Sequence, residues 1–388
     1  MKILYLVGFY PEIGGPFISI LNLLKKISQK NIEIKVLSPI PKNYDINKLE
    51  FIKELPYEVE YFREDLPRSV MPSFSSKLLK RIMEESKNYD LIHLNGIFDS
   101  YAIFTFFINK PYVLSPRGTF MIDAYNKIFI KKIKKNIFIN IIGRRIVKKA
   151  KNIHLLTNME KKDFLSFFPK YENKIKVIPN GLNLNNFNTS IVSENLIKKF
   201  PAIKNKKLIL YLSRINWKKG LDLLFPAFTK LVKENSDYHL LMAGDDDGDD
   251  YTLKMKNLVK ELGILDSVTF TGLLVGEDKI EAFKRAEIFV LPSYSENFGV
   301  AIIEAMAWGV PIVISNKVGV YDDVEKNKAG IIVETNIESV YYGMKTLLEN
   351  NNLRIEISKN AQKMVKEYYD IDKVTDNMIK MYEEVLKI

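Results

Sequence analysis

The chain contains no cysteine, which excludes disulfides, thiolate catalysis and Cys-ligated metals. Histidine is almost as scarce: His93, His154 and His239 are scattered, with no metal-ligand spacing. No apolar run approaches the length that crosses a bilayer. Lys2-Ile-Leu-Tyr-Leu-Val7 opens directly as a strand rather than as a signal peptide, which predicts an unexported, cytoplasmic protein. Acidic residues are missing from Ala124 to Met159, whereas ten Lys or Arg fall between Lys127 and Lys151. Ile130, Ile133, Ile137 and Ile141 recur among them at helical spacing. One reading is a basic amphipathic helix on an anionic membrane surface, with the protein peripheral at the inner face of the cell membrane. The other turns the isoleucines to the domain core and leaves the lysines solvated. No nucleic-acid reader motif accompanies the stretch, so nucleic acid is not expected as a partner.

The 388 residues exceed one ordinary core, and 47% of them are hydrophobic, enough to fill two. Strand-like apolar runs alternate with amphipathic helical stretches, predicting α/β layers on parallel sheets. The first half offers strands near residues 3–7, 34–37, 91–94, 112–114, 153–156 and 176–178. The second offers 208–212, 239–242, 268–270, 288–291, 312–314 and 331–333. Two Rossmann-like domains are therefore expected, over residues 1–185 and 186–370. The polar segment 183–205 reads as their linker. A closing amphipathic helix over 371–388 could pack on either domain.

The stretch from Pro292 to Gly309, P-S-Y-S-E-N-F-G-V-A-I-I-E-A-M-A-W-G, places Glu296 and Glu304 eight positions apart across a loop-to-helix boundary. Ser293, Ser295 and Asn297 offer capping side chains where the helix should begin. A helix N-terminus carries unpaired N–H groups and a positive dipole end. The backbone of Asn297, Phe298, Gly299 and Val300 thus reads as a place for an anion, with Glu296 at its rim and Glu304 about two turns deeper. Carboxylates beside an anion make sense when the ligand also carries hydroxyls, as a nucleotide sugar does. Taken alone, the pair reads as a cap neighbour and a solvated helix residue.

Ligands of open parallel sheets bind beyond the carboxyl ends of strands, which directs attention to four loops. Gly8 to Gly15 follows the first strand, ahead of a helix beginning near Phe17; Gly14 and Gly15 allow close backbone approach. It does not match G-x-G-x-x-G, so no dinucleotide cofactor is expected. Ser213 to Gly220 carries Arg214 and Lys219, either a diphosphate clamp or a solvated basic turn. Pro179-Asn-Gly181 is a tight turn. Ala243 to Asp250 is rich in aspartate without EF-hand spacing and reads as a solvated loop, leaving no metal or other cofactor expected.

Together these motifs resemble the retaining glycosyltransferases of family 4, over nearly the whole chain and in order. The resemblance implies the GT-B fold, two facing Rossmann-like domains with a cleft between them. It implies that Gly14 and Gly15 contact donor and acceptor, and that Arg214 and Lys219 hold the donor diphosphate. Glu296 is then expected near the transferred sugar and Glu304 on the ribose, with Asn297, Phe298, Gly299 and Val300 lining the donor. Pro179-Asn-Gly181 fits as well, although Asn183 stands where the family often has Asp. Many members carry T-x-H-G where this chain has Ser115-Pro-Arg-Gly118, so Arg117 occupies the histidine position. S-P-R-G resembles a variant among polysaccharide-building members. An arginine is no general base at neutral pH, so its role would be electrostatic. His93 resembles a family position on the acceptor side; its other reading is an ordinary strand-end histidine.

The implied activity is metal-independent transfer of a sugar from a UDP- or GDP-sugar to a hydroxyl of a glycan or lipid-linked acceptor. The donor is a substrate rather than a cofactor. Glu296, Arg214, Lys219 and Arg117 are the candidate catalytic groups. Rival readings are another enzyme on the same fold, such as an epimerase, and a non-catalytic nucleotide-sugar-binding module.

Overall fold

Alternate residues of the first strand, β1 (Lys2–Leu6), enter two different cores. Leu4 and Leu6 pack with Ile92, Leu94 and Leu114, while Ile3 and Tyr5 pack with Val36, Leu91 and Val113. A strand that buries both faces is the signature of a parallel sheet covered by helices on each side. The computed structural model describes residues 1–126, 129–188, 193–246 and 250–387. Lys127 and Ile128 of the basic stretch, part of the polar segment, and Asp247, Gly248 and Asp249 of the acidic loop lie outside the described residues.

Two compact units result: Met1–Asn183 together with Asp370–Ile388, and Leu184–Tyr369. In the first, β1 is joined by β2 (Glu33–Ile40), β3 (Glu58–Arg63), β4 (Leu91–Asn95), β5 (Tyr112–Ser115), β6 (Asn152–Leu155) and β7 (Ile175–Val177). Their order is β3-β2-β1-β4-β5-β6-β7, with every pair parallel. β3 is absent from the sequence-based expectation. As an edge strand it alternates charged and apolar residues and buries Phe62 alone, so it lacks the apolar run that marks its neighbours. Helix α1 (Gly15–Ser28) buries Phe17, Ile20, Leu23, Leu24 and Ile27 at helical spacing and starts two residues before the expected Phe17.

The basic stretch forms α2 (Phe129–Phe138) and α3 (Arg144–Lys149), joined by a π-helical turn over Ile139–Gly143. Ile139, Ile146 and Val147 take the buried face. Ile133, Ile137 and Ile141 are 43%, 55% and 62% exposed, so these three face solvent instead of the core; the Ile130 side chain lies outside what the structure describes.

The second unit opens with α4 (Asn195–Lys199), within the segment expected to be a linker. Its buried Leu196 donates a backbone N–H to Glu281 Oε2 at 2.9 Å, which ties the segment into this unit. One apolar anchor in a polar run gave no periodic signal. The sheet holds β8 (Lys207–Leu212), β9 (Tyr238–Ala243), β10 (Val268–Gly272), β11 (Ala286–Leu291), β12 (Ile312–Ser315) and β13 (Ile331–Val333). Its order is β10-β9-β8-β11-β12-β13, again parallel. Helices α5 (Leu221–Glu234), α6 (Gly276–Arg285) and α7 (Val300–Ala307) belong to this unit. The last helix, α8 (Ile371–Leu386), joins the first unit, where Val374, Met378, Met381 and Tyr382 enter the α1 core.

Strand order reverses once in each sheet, beside β1 and beside β8. Loops leaving neighbouring strands there diverge to opposite faces and open a crevice. The loops after β1 and β4 flank one such point, and those after β8 and β11 flank the other.

Candidate functional site

In the second unit the loops after β8 and β11 are locked together. Tyr294 donates its backbone N–H to the Lys218 carbonyl at 2.7 Å. Gly220 adopts a φ of +69°, and a Cβ there would stand 2.1 Å from the Pro292 carbonyl oxygen, so only glycine permits this approach. Asn216 Oδ1 accepts from the Lys218 N–H at 2.9 Å and shapes the turn that presents Lys219. Lys219, only 8% exposed, forms a short ion pair with Glu296 Oε2. The Glu296 backbone is fixed on both sides, its N–H donating to Lys317 O at 3.1 Å and its carbonyl accepting from Gly319 N at 2.8 Å. Burial opposes ionisation of Glu296, but the Lys219 charge and hydrogen bond, the Phe298 N–H and the Arg214 charge outweigh it. The carboxyl is held below its ordinary range.

Helix α7 starts at Val300, with Gly299 at the N-cap in a left-handed conformation and no side-chain cap. The expected caps Ser293, Ser295 and Asn297 lie in the preceding loop and do not perform that role, because the chain needs the positive φ of Gly299 to turn into the helix. The Ile302 N–H turns back to the Gly299 carbonyl at 2.9 Å, so the N–H groups of Val300 and Ala301 are those that face an anion at this end. Ser293 Oγ and Asn297 Oδ1 are buried without a partner. Glu304 is the fifth residue of α7, little more than one turn inside it rather than the expected two. Its Oε1 accepts from Lys279 Nζ on α6 at 2.7 Å. Lys279 is a site residue that sequence reasoning missed, and no local spacing links it to Glu304. In the acidic loop, Asp245 Oδ1 accepts from the Leu273 N–H at 3.1 Å. Among the described residues no three His, Asp or Glu gather as metal ligands.

In the first unit, Gly14 has a φ of +76° and serves as N-cap of α1, and no atom lies within 4 Å of where its Cβ would be. Gly15 is the first residue of that helix. Arg117 sits past β5 in the left-handed region, at a φ of +55°. Its Nε donates to Asn95 Oδ1 at 3.0 Å and its Nη1 to Asn180 Oδ1 at 3.1 Å, which gathers the carboxyl ends of β4, β5 and β7.

His93 departs from the expectation of an acceptor-side group. It is the middle residue of β4, fully buried, with Nδ1 2.7 Å from Tyr382 Oη and Nε2 2.7 Å from Ser115 Oγ. The chain of hydrogen bonds continues from Ser115 Oγ to His154 Nδ1 at 2.8 Å, then from His154 Nε2 to the Ile178 carbonyl at 2.8 Å. Tyr5 Oη meets Tyr382 Oη at the other end. Burial, reinforced by His154 and Arg117, pushes His93 well below its ordinary pKa, and burial and Arg117 carry His154 down to about 3. Both rings are neutral, and His93 has both nitrogens engaged within the fold, leaving neither for a substrate.

A model described as Glycosyltransferase Family 4 matches residues 13–186, and one described as Glycosyl transferases group 1 matches residues 192–364. The chain belongs to the group 1 glycosyltransferases. The transferase is 26% identical over 399 residues to the N,N'-diacetylbacillosaminyl-diphospho-undecaprenol alpha-1,3-N-acetylgalactosaminyltransferase of Campylobacter jejuni, covering 98% of this chain and 99% of that one. It is 30% identical over 232 residues to an uncharacterized glycosyltransferase of Methanocaldococcus jannaschii, a match spanning 59% of this chain and 58% of that relative. Among solved structures, an Anabaena protein in complex with UDP and glucose superposes with a TM-score of 0.79 at 19% identity, covering 99% of this chain and all of that one. A sucrose-phosphate synthase from Thermosynechococcus elongatus gives 0.81 at 18%, with complete coverage of both. These likenesses identify the fold of the transferase as GT-B. As a member of this family it is a hexosyltransferase-type enzyme that uses a nucleotide sugar. The first matched segment contains Gly14, Gly15 and Arg117, and the second contains Arg214, Lys219, Lys279, Glu296 and Glu304.

Proposed function

We propose that this transferase moves a sugar, with retention of the α configuration and without a metal ion, from a UDP- or GDP-sugar to a hydroxyl of a glycan or lipid-linked acceptor. The observation that carries this reading is the Lys219–Glu296 pair set beside the uncapped N-terminus of α7. When the bond from the anomeric carbon to the diphosphate oxygen breaks, negative charge gathers on the leaving group. Arg214, Lys219 and the N–H groups at the start of α7 supply fixed positive charge to receive it. Glu296, kept ionised, accepts hydrogen bonds from sugar hydroxyls; Glu304, paired with Lys279, takes those of the ribose. The acceptor oxygen bonds to the anomeric carbon on the face the diphosphate leaves, and its proton passes to a departing phosphate oxygen. The Anabaena complex with UDP and glucose supports a uridine donor, and the diphospho-undecaprenol in the name of the Campylobacter relative supports a lipid-linked acceptor.

Direct binding to UDP-, GDP- and ADP-sugars in the presence of chelator tests the donor site. One nucleotide sugar is expected to bind, and Lys219→Ala to weaken it about tenfold or more through loss of a charge-assisted contact. Equal binding by both proteins would remove Lys219 from the site. Absence of binding to every donor would end the reading.

The same proposal places the transferase on an anionic membrane surface through α2 and α3. Exposed Ile133, Ile137 and Ile141 share that segment with exposed Lys134, Arg144, Arg145 and Lys148. Apolar insertion and attraction of about 1 kcal/mol per basic residue near the surface would act together. Sedimentation with vesicles rich in phosphatidylglycerol should show binding that weakens with salt and drops about tenfold in Ile137→Asp. Binding that ignores the anionic lipid fraction would sink this part.

A further inference from the structure

The polar cluster around Arg117 is short of acceptors. A guanidinium only donates, so the Asn95 and Asn180 oxygens must face it, and this settles the orientation of both amides. Asn95 Nδ2 consequently finds no acceptor in Arg117, and it is buried without any other on a residue only 3% exposed. Arg117 Nη2 is likewise buried without a partner. Unpaired buried donors are destabilising, and here two belong to side chains already bonded to each other.

Charge points the same way. Arg117 makes no ion pair with a carboxylate among the described residues; its hydrogen bonds go to two neutral amides. Glu160 opposes the burial of Arg117 through space, but its oxygens accept from the backbone N–H groups of Gly118 and Leu156, at 2.5 and 2.7 Å. Tyr5, Tyr382, His93 and His154 are all neutral. The surroundings therefore carry a half-buried positive charge with two buried donors to spare, in a backbone conformation that arginine seldom adopts. A sugar hydroxyl would satisfy a donor and leave the charge uncompensated, whereas an oxyanion does both.

We propose that Arg117 and Asn95 form a seat for a phosphate group carried by the acceptor substrate; its assignment to the acceptor rests on the glycosyltransfer reading above. Nη2 and Nδ2 would each donate to a phosphate oxygen, with Asn180 holding the guanidinium in place.

The test is isothermal titration of inorganic phosphate, at constant ionic strength, into full-length Lys219→Ala protein, so that the donor loop is disabled. Saturable binding is expected, weakened about tenfold or more when Arg117→Gln is added. Asn95→Asp is the second variant. It places a carboxylate against the guanidinium, and should abolish phosphate binding while raising the thermal midpoint. Phosphate binding indifferent to both changes, or absent from Lys219→Ala, would overturn the seat. Octyl phosphate separates the sources: tighter binding than inorganic phosphate supports an acceptor-borne group, and weaker binding assigns the seat to the free ion and overturns the acceptor part. Wild-type protein that binds no UDP yet keeps Arg117-dependent phosphate binding would refute the transferase donor reading and leave the seat standing.

Discussion

Lys219→Ala is expected to lower kcat/KM by on the order of 10²–10³, the range for losing one preorganised group that stabilises transition-state charge. It should also move the acid limb of the pH–rate profile to higher pH. Glu296 is held below the ordinary carboxylate range despite its burial, and Lys219 provides both the leading through-space attraction and a hydrogen bond. A carboxyl with a depressed pKa stays ionised to lower pH than a free one. Removal of the ammonium leaves burial as the dominant influence, so the pKa rises and the ionised form is lost earlier as pH falls. Glu296→Gln separates the two roles. It keeps the shape and removes the charge, so kcat should fall without a titrating acid limb from this group, while Lys219 remains buried and uncompensated. An unchanged acid limb in Lys219→Ala, with activity within a few-fold of wild type, would show that the pair is structural.

The readable parts of this molecule are those where chemistry and spacing coincide locally. Twelve of the thirteen strands among the described residues announce themselves as apolar runs, most of them because parallel strands bury both faces. β3 does not, since Glu58, Glu60 and Arg63 break up its apolar residues. Arg214, Lys219 and Glu296 stand in short loops that follow strands, and Glu304 in the helix just after one of them, so their pattern survives in one dimension. Lys279 approaches Glu304 only through the packing of α6 near α7, and 25 residues separate them. His93 shows the opposite case: the resemblance suggested an acceptor-side group and the other reading was an ordinary strand histidine, and Tyr382, far away in sequence, closes its ring inside the fold. The start of α7 went wrong for a local reason. Three polar residues offered caps, but the left-handed turn at Gly299 decides where the helix begins.

That distant closure by Tyr382 makes α8 the segment with the largest predicted effect on stability. A chain ending at Tyr369 is expected to lose the fold of the first unit while the second stays folded. Val374, Met378, Met381 and Tyr382 are each no more than 2% exposed. Burying such side chains contributes about 1.5–3 kcal/mol each, and four together rival the whole stability of a typical domain, about 5–15 kcal/mol. Deletion also strips the partner from Tyr5 Oη and His93 Nδ1 inside β1 and β4, adding about 1–3 kcal/mol for each polar group left unpaired. Graded variants bracket the effect: Met378→Ala should destabilise by about 2–5 kcal/mol, and Tyr382→Phe by about 1–3 kcal/mol. Both tryptophans, Trp217 and Trp308, lie in the second unit, so their fluorescence follows that unit alone and far-UV circular dichroism follows both. In urea the truncated chain should keep its tryptophan transition, and nucleotide-sugar binding with it, but lose the part of the dichroism transition that belongs to the first unit. If both transitions persist unchanged, α8 is a surface appendage and the buried chain from Tyr5 to His154 holds without it. If both disappear, the second unit depends on the first, and the donor site is not an autonomous module.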